Sequence, residues 1–428
     1  MAEVKVVPRE DELVEAIKNL KLENPEFGIK KVFTKLSETH ATWTVSEKRV
    51  KKLMQAQGLT QQNQHGEQQQ QQQQQQQAEL QVEKSGVEGD PSIPVSFIDP
   101  KLDITSVSTS VVAKMIDPVT GKGLFAARDI KKNEIIFQEK PFVYFPPWEG
   151  FSLIREGNAC GLCAKPFMKS TRLAVRCPHC DVMYCNKICK STAWETFHQL
   201  ECTALNPAML DLMRFCENES WIAPMAVSRM YAHMILAHQR GNLDAVKGHY
   251  DAFATVNQAE RQAKETEWIF MEHPTRELWA KARQFLSKAY NPPPKKCKIS
   301  KPLPSDLAAD LFDNEDTFLN YMGKFNINNQ NGGMYLVQSH MNHSCIPNVT
   351  IEYPLPTSQY KLEVRAARDI AKGEQLCETY VNPRWNKETR INYLDKTYMF
   401  QCKCERCEKD LPLTDEMRRD LRLRPEND

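Results

Sequence analysis

With 428 residues, 41% of them hydrophobic and 26% charged, the chain is long enough for several domains and at least one sizeable core. A formal net charge of +1 excludes a globally basic protein that coats nucleic acid, although local basic patches stay open. The start, Met1-Ala2-Glu3-Val4-Lys5, is charged rather than leader-like and no apolar run is long enough to span a bilayer, so a soluble, intracellular chain with no membrane partner is expected. In a reducing compartment its 14 cysteines are metal ligands or thiols before they are disulfides.

Residues 1–60 read as a small helical module, with apolar stripes at Leu13, Ile17 and Leu20, at Ile29, Val32, Phe33 and Leu36, and from Val45 through Val50 to Leu53. Gly28, Gly58 and a polar break at residues 39–44 separate the pieces. The third piece carries Lys48, Arg49, Lys51 and Lys52 and loosely resembles the basic helix of a helix-turn-helix, which contacts phosphates. A helical interaction module with a solvated basic face accounts for the same residues. Residues 61–109 contain an uninterrupted glutamine run from Gln68 to Gln77 and are expected to be a disordered tether.

Strand-like alternation begins at residue 110. Gly121-Lys122-Gly123-Leu124 is a glycine turn entering a strand, and it lacks the spaced glycines and terminal Lys-Ser/Thr of a phosphate loop. Ile135-Ile136-Phe137 and Phe142-Val143-Tyr144-Phe145 continue the strands to about residue 148. The segment Ala126-Ala127-Arg128-Asp129-Ile130 returns as Ala366-Ala367-Arg368-Asp369-Ile370, so two similar hairpins are expected in one β core, with the intervening residues inserted.

Residues 160–202 hold Cys160 and Cys163, Cys177 and Cys180, Cys185 and Cys189, and His198 and Cys202 in close pairs, enough for two tetrahedral zinc sites. Four protein ligands for each ion leave no open position, which makes both sites structural rather than catalytic. The His-x-Glu and Pro-Cys-x2-Cys elements of a zinc deaminase are absent. Residues 203–325 are mostly helical, and stripes such as Met225, Met230, Met234 and Leu236, then Trp268, Ile269 and Phe270, then Trp279, Phe285 and Leu286 read as core. The β pattern resumes over residues 326–383 with Tyr335 and the alternating strand Lys361 to Ala366. In residues 384–410 Cys402, Cys404 and Cys407 are one ligand short of a closed zinc site, and Cys345 is the candidate fourth. Residues 411–428 form a C-terminal tail. Cys216, Cys297 and Cys377 are left as buried or inert thiols.

Asn342-His343-Ser344-Cys345-x-Pro347-Asn348, followed by Gly373-Glu374-x-Leu376 and closed by Tyr380, resembles the signature of SET-domain protein lysine methyltransferases. With the paired Cys and His ligands, which resemble a MYND finger, the chain is similar to SMYD-type enzymes. The Gln-rich extension and the roughly twenty residues after Cys407 bring it closest to the fungal SET domain protein 5 group, whose substrates are histone H4 tail lysines. The resemblance implies an α+β fold: a split antiparallel SET β core with an inserted MYND zinc finger, a helical insert and a post-SET zinc knuckle.

It also implies S-adenosylmethionine as cofactor and three structural zinc ions. One zinc is held by Cys160, Cys163, Cys185 and Cys189, one by Cys177, Cys180, His198 and Cys202, and one by Cys345, Cys402, Cys404 and Cys407. Lys122, Gly123 and Leu124 line one side of the cofactor, Asn342 and His343 anchor it, and Tyr398 and Phe400 cover it from the post-SET segment. Tyr380 carries the essential hydroxyl. Tyr335 belongs to the lysine channel or to the core. A histone or other basic tail is the expected substrate, a peptide the expected partner of the finger, with chromatin association and residence in nucleus and also cytoplasm. Two rivals stand beside this reading: an adaptor whose zinc finger binds peptides beside a degenerate SET core, and DNA binding through residues 48–52.

Overall fold

A computed structural model describes residues 6–24, 27–56, 93–167, 173–264, 275–354 and 360–423, divided between two compact units, 1–88 and 89–428. In the first unit, helices Glu10–Glu23, Ile29–Thr39 and Glu47–Ala56 enclose their own core of Leu13, Ile17, Val32, Leu36, Val50, Leu53 and Met54. Glu10, Asp11 and Glu12 occupy the first turn, where carboxylates complement the helix dipole, and Glu12 accepts from the Arg9 N–H at 3.0 Å. Lys48, Lys51 and Lys52 are exposed on the face opposite the buried Val50, Leu53 and Met54. The glutamine run lies outside the described residues, as do Trp268, Ile269 and Phe270.

The second unit is built on β1 (Val111–Asp117) and β2 (Gly121–Ala126), an antiparallel hairpin, and on β3 (Ile135–Glu139). Asp117 makes the hairpin turn by accepting from the N–H groups of Val119 and Thr120 at 2.8 and 2.7 Å. Gly121 follows at φ +74°, where an added Cβ would also meet Ser96 Oγ at 2.5 Å. The other strands are β4 (Val143–Tyr144), β5 (Val175–Arg176), β6 (Met183–Tyr184), β7 (Gly333–Met334), β8 (Asn342–His343), β9 (Val349–Glu352), β10 (Leu362–Ala366) and β11 (Cys377–Glu378). Strand β10 sits between β3 and β9, antiparallel to both, β4 pairs with β7 and β5 with β6. Strands β8 and β11 run parallel.

The repeated segments pack against each other as near mirror copies of one set of bonds. Ile130 and Ile370 exchange backbone hydrogen bonds, both at 2.9 Å. Asp129 accepts from the Lys372 N–H, and Asp369 from the Lys132 N–H, each at 2.8 Å. Arg128 pairs with Glu134 as Arg368 does with Glu374. This reciprocal clasp closes the β core over Val111, Leu124, Ile136, Val349, Val364 and Leu376.

Helix Ala223–Arg240 is the axis of the larger core, with every residue from Ala223 to Ala237 buried. Helices Ala208–Asn218, Leu243–Asp251, Arg276–Tyr290 and Glu315–Asn328 supply the rest of that core, including Trp279, Leu286 and Phe318. Arg229 on the axial helix ion-pairs with Glu201 at 2.7 Å, donates to the Tyr144 carbonyl at 2.7 Å and lies 3.8 Å from the Phe197 ring centroid. Such a buried pair holds only because its remaining donors are satisfied, and it ties the cysteine-rich segment to both the helices and β4. No described helix is long and apolar enough to cross a membrane.

The expected tether over 61–109 needs a correction at residues 93–109, its last third. Residues 93–109 are packed: Val95 exchanges two backbone bonds with Thr255, and Asp99, 4% exposed, meets His249 Nδ1 at 2.5 Å. Their order comes from partners about 150 residues away, which composition does not reveal. The terminal stretch is also engaged, since Asp420 pairs with Lys132 at 2.6 Å and Arg422 donates to Asn133 at 3.1 Å.

Candidate active site and cysteine clusters

The parallel pair β8 and β11 lays residues 342–343 alongside residues 377–378. Asn348 makes the join rigid: its amide donates to Gln375 O at 2.8 Å and Glu374 Oε1 at 3.0 Å, and its Oδ1 accepts from the Cys377 N–H at 2.8 Å. Asn342 Nδ2 donates to the Lys122 carbonyl at 2.9 Å, bringing the Gly-Lys-Gly strand against the same junction. At Gly123 a Cβ would meet the side-chain ends of Ile116 at 2.6 Å and Phe125 at 2.9 Å, so any side chain there would have to displace them. Leu124 is fully buried in the β core.

Lys122 turns its side chain away from that junction. Its ammonium is buried, donates to the Ala252 carbonyl at 2.8 Å and to Ser339 Oγ at 3.3 Å, and lies 5.6 Å from the Phe253 ring. Burial, with repulsion from Lys324, pulls it down to about 7 against the pull of Asp99 and Glu139. What Lys122 offers at the junction is its backbone.

Tyr380 emerges just beyond β11. Its backbone N–H donates to His343 Nδ1 at 3.0 Å and its hydroxyl to the Met341 carbonyl at 2.7 Å. His343 is therefore neutral with its proton on Nε2, 3.3 Å from Cys345 Sγ, and burial holds its pKa down at about 4. Burial, with Glu378 nearby, raises the Tyr380 phenol well above its ordinary range, so it stays protonated. The Tyr398 ring packs against Tyr380 with centroids 4.7 Å apart and a 32° tilt, while the Phe400 ring lies 6.5 Å from Tyr380 and 6.1 Å from His343. Between the two aromatics Met399 adopts φ +63°, ending helix Lys387–Tyr398 and turning the chain so that both rings reach the tyrosine. Tyr335 is seated in the β core, fully buried, with its hydroxyl donating to the Tyr360 carbonyl at 3.0 Å.

Glu378 was not among the expected site residues. It is 2% exposed, and each carboxylate oxygen accepts from a neutral amide, Gln330 at 2.6 Å and Gln338 at 2.5 Å. Burial pushes its carboxyl up to about 8. Between pH 4.5 and 8 the folded state thus holds a proton that the unfolded chain has released. Stability from this group is complete below pH 4.5 and falls by about 1.4 kcal/mol per pH unit as pH rises through that window. Urea unfolding of Glu378→Gln across pH 5–8 should show a flatter decline than the parent, and parallel curves would remove Glu378 as the source.

The SET-domain family profile matches residues 121–381, more than half of the chain. The chain belongs to the SET-domain family. Curated relatives named histone-lysine N-methyltransferase SET5 align along nearly all of it. The protein from Yarrowia lipolytica is 31% identical, covering 94% of this chain and 83% of that one. Those of Scheffersomyces stipitis and Saccharomyces cerevisiae (strain YJM789) are 28% and 26% identical, each covering 95% of this chain and 82% and 77% of theirs. Among solved structures, the SET domain of LSMT bound to lysine and AdoHcy overlaps with a TM-score of 0.30 at 14% identity, covering 70% of this chain and 55% of that one.

Outside the tyrosine cluster, the described residues of this SET protein include three groups of metal-type ligands: Cys160, Cys163, Cys185 and Cys189; Cys177, Cys180, His198 and Cys202; and Cys345, Cys402, Cys404 and Cys407. Ligand atoms within each group lie inside 4.8 Å of one another. Zinc–sulfur bonds of about 2.3 Å place tetrahedral sulfurs roughly 3.8 Å apart. The separations of 3.2 Å for Cys185–Cys189, 4.0 Å for Cys163–Cys185 and 3.5 Å for Cys345–Cys407 suit that geometry and are too long for disulfides. The donor sets, two of four sulfurs and one of three sulfurs with an imidazole, fit closed zinc sites. Burial raises the remaining thiols, Cys216 to about 12 and Cys297 and Cys377 to about 11, in keeping with inert cysteines.

Proposed function

We propose that this protein is an S-adenosylmethionine-dependent protein-lysine N-methyltransferase acting on histone tail lysines, those of histone H4 in particular. The observation that carries the reading is the Tyr380 hydroxyl, placed where the Gly-Lys-Gly strand, the Asn342–His343 strand and the Tyr398–Phe400 wall converge. The histone assignment rests on the names of the fungal relatives, which align over 94–95% of the chain.

When bound, S-adenosylmethionine supplies an electrophilic methyl group. The chain's own work is to align a neutral lysine amine with it and to exclude water. The backbone of residues 122–124 and residues Asn342 and His343 hold the methyl donor, Tyr398 lines its site and Phe400 covers it. With its proton directed to Met341 O, Tyr380 presents only oxygen lone pairs to the reacting centre. It orients the amine N–H and stabilises the positive charge near the methyl without acting as a base. Aromatic walls lower the lysine pKa by desolvation, which favours the neutral nucleophile.

The three clusters hold structural zinc. The two between residues 160 and 202 form a MYND-type finger with a peptide partner, and a cleft of about 590 Å³ bordered by Phe151, Arg176 and His179 opens at the ligands Cys177, Cys180 and His198 of the second cluster. Chromatin in the nucleus is the setting in which such a substrate is met. Transfer of labelled methyl to core histones and nucleosomes tests the reading: label on H4 that disappears when its tail lysines become arginine is the expected result. Label on another histone alone would overturn the H4 assignment. No transfer and no cofactor binding would leave the adaptor reading in place.

A further inference from the structure

We propose that Arg390 is the positioning cation of the Cys345, Cys402, Cys404 and Cys407 cluster, neutralising its excess thiolate charge and coupling the metal to the helix that carries Tyr398. The inference rests on the zinc reading above. Arg390 is only 2% exposed, one of the largest fully buried side chains in the protein. Its Nε donates to Cys345 Sγ at 3.2 Å, one Nη reaches Cys407 Sγ at 3.8 Å, and the other donates to the Trp385 carbonyl at 2.6 Å. Among the described residues its guanidinium makes no ion pair with a carboxylate.

A buried guanidinium without a carboxylate is stabilised by another anion in contact with it, because neutral acceptors repay its desolvation only in part. Zinc bound by four thiolates leaves two negative charges in excess, and the Arg390 guanidinium sets its positive charge against two of those sulfurs at once. The same helix explains why the position matters. Arg390, Leu394 and Tyr398 recur every four residues on one face; Leu394 is fully buried in the hydrophobic cluster around Cys345, and Tyr398 packs against Tyr380. Arg406, also buried, donates instead to the carbonyls of Leu411 and Pro383. The other all-cysteine cluster has three partly exposed ligands, so water screens it, whereas Cys345, Cys402 and Cys407 are buried.

The test uses the full-length, zinc-loaded protein with Arg390→Met, Arg390→Lys and, as a packing control, Leu394→Ala. Zinc content and the time course of release to a coloured chelator are read together with S-adenosylmethionine affinity by calorimetry. In Arg390→Met one zinc of three should leave at least tenfold faster, in line with outer-shell changes around other metals, with cofactor affinity falling at least tenfold. Arg390→Lys should restore most of the retention, because it keeps the charge. Leu394→Ala should lower the melting temperature without singling out one zinc.

Parental release from Arg390→Met, or equally fast release from Arg390→Lys and Arg390→Met, would overturn the charge role. If Arg390→Met does not fold, Arg390→Lys decides alone: slow release supports the proposal and fast selective release sinks it. A parent protein that binds only two zinc ions would instead overturn the zinc reading itself.

Discussion

Replacing Tyr380 by phenylalanine is expected to lower kcat for methyl transfer by about 10²–10³-fold while S-adenosylmethionine affinity stays within about threefold of the parent. The substitution removes one oxygen and keeps the ring, so the 4.7 Å ring contact with Tyr398 and the N–H bond to His343 Nδ1 both survive. What is lost is the hydroxyl fixed by Met341 O, whose lone pairs the proposed function turns towards the reacting centre. A preorganised acceptor of this kind acts on charge that develops in the transition state, so the loss appears in kcat rather than in cofactor binding. Because the phenol stays protonated, the pH profile of the residual activity should keep its shape. Phenylalanine at full kcat would remove Tyr380 from the chemistry, and a mutant defective only in cofactor affinity would make it a binding residue.

The second large effect is expected from Cys345→Ser: bound zinc falls from three ions per chain to two, S-adenosylmethionine affinity weakens at least tenfold, and transferase activity drops below about 1% of the parent. Cys345 is fully buried and faces three groups at once, His343 Nε2 at 3.3 Å, Arg390 Nε at 3.2 Å and Cys407 Sγ at 3.5 Å. A structural zinc site stabilises by about 10–16 kcal/mol in small metal-dependent folds, comparable to the whole stability of an ordinary domain. Its loss should release the segment that carries Tyr398 and Phe400. The damage should stay local, because Cys345, Val381, Leu394, Cys402 and Cys407 form their own hydrophobic cluster. Cys160, Cys177 and Cys202, in contrast, share the main core with the helices. Elemental analysis with far-UV circular dichroism checks both halves: three zinc ions still bound in Cys345→Ser would exclude Cys345 as a ligand.

Much of this site is legible in the chain because its signals are local. Cysteines two to four residues apart, an Asn-His pair set against a Gly-Glu-x-Leu run and the repeated Ala-Ala-Arg-Asp-Ile segments are all visible without a fold. Spacing alone does not say which cysteine pairs share an ion; the three gathered groups do. Glu378 and Arg390 escape sequence reading for a different reason. A carboxylate in a strand and an arginine in a helix normally face water, and nothing local marks Gln330, 48 residues before Glu378, or Cys345, 45 before Arg390, as the groups that bury them. The same holds for Asp99, whose partner His249 lies 150 residues on.

By itself the amino-acid sequence determined the elements and the ligand types. Apolar periodicity set the helices of the first unit and the buried axial helix, and close Cys and His pairs marked the metal-type clusters, because helix period and chelate spacing act over a few residues. Only the tertiary structure decided the direction of each functional side chain. It turned Lys122 into the interior, seated Tyr335 in the β core, packed residues 93–109 and pointed the Tyr380 hydroxyl at Met341 O. Those choices are made by burial and hydrogen-bond satisfaction between segments tens to hundreds of residues apart, where no local pattern reaches.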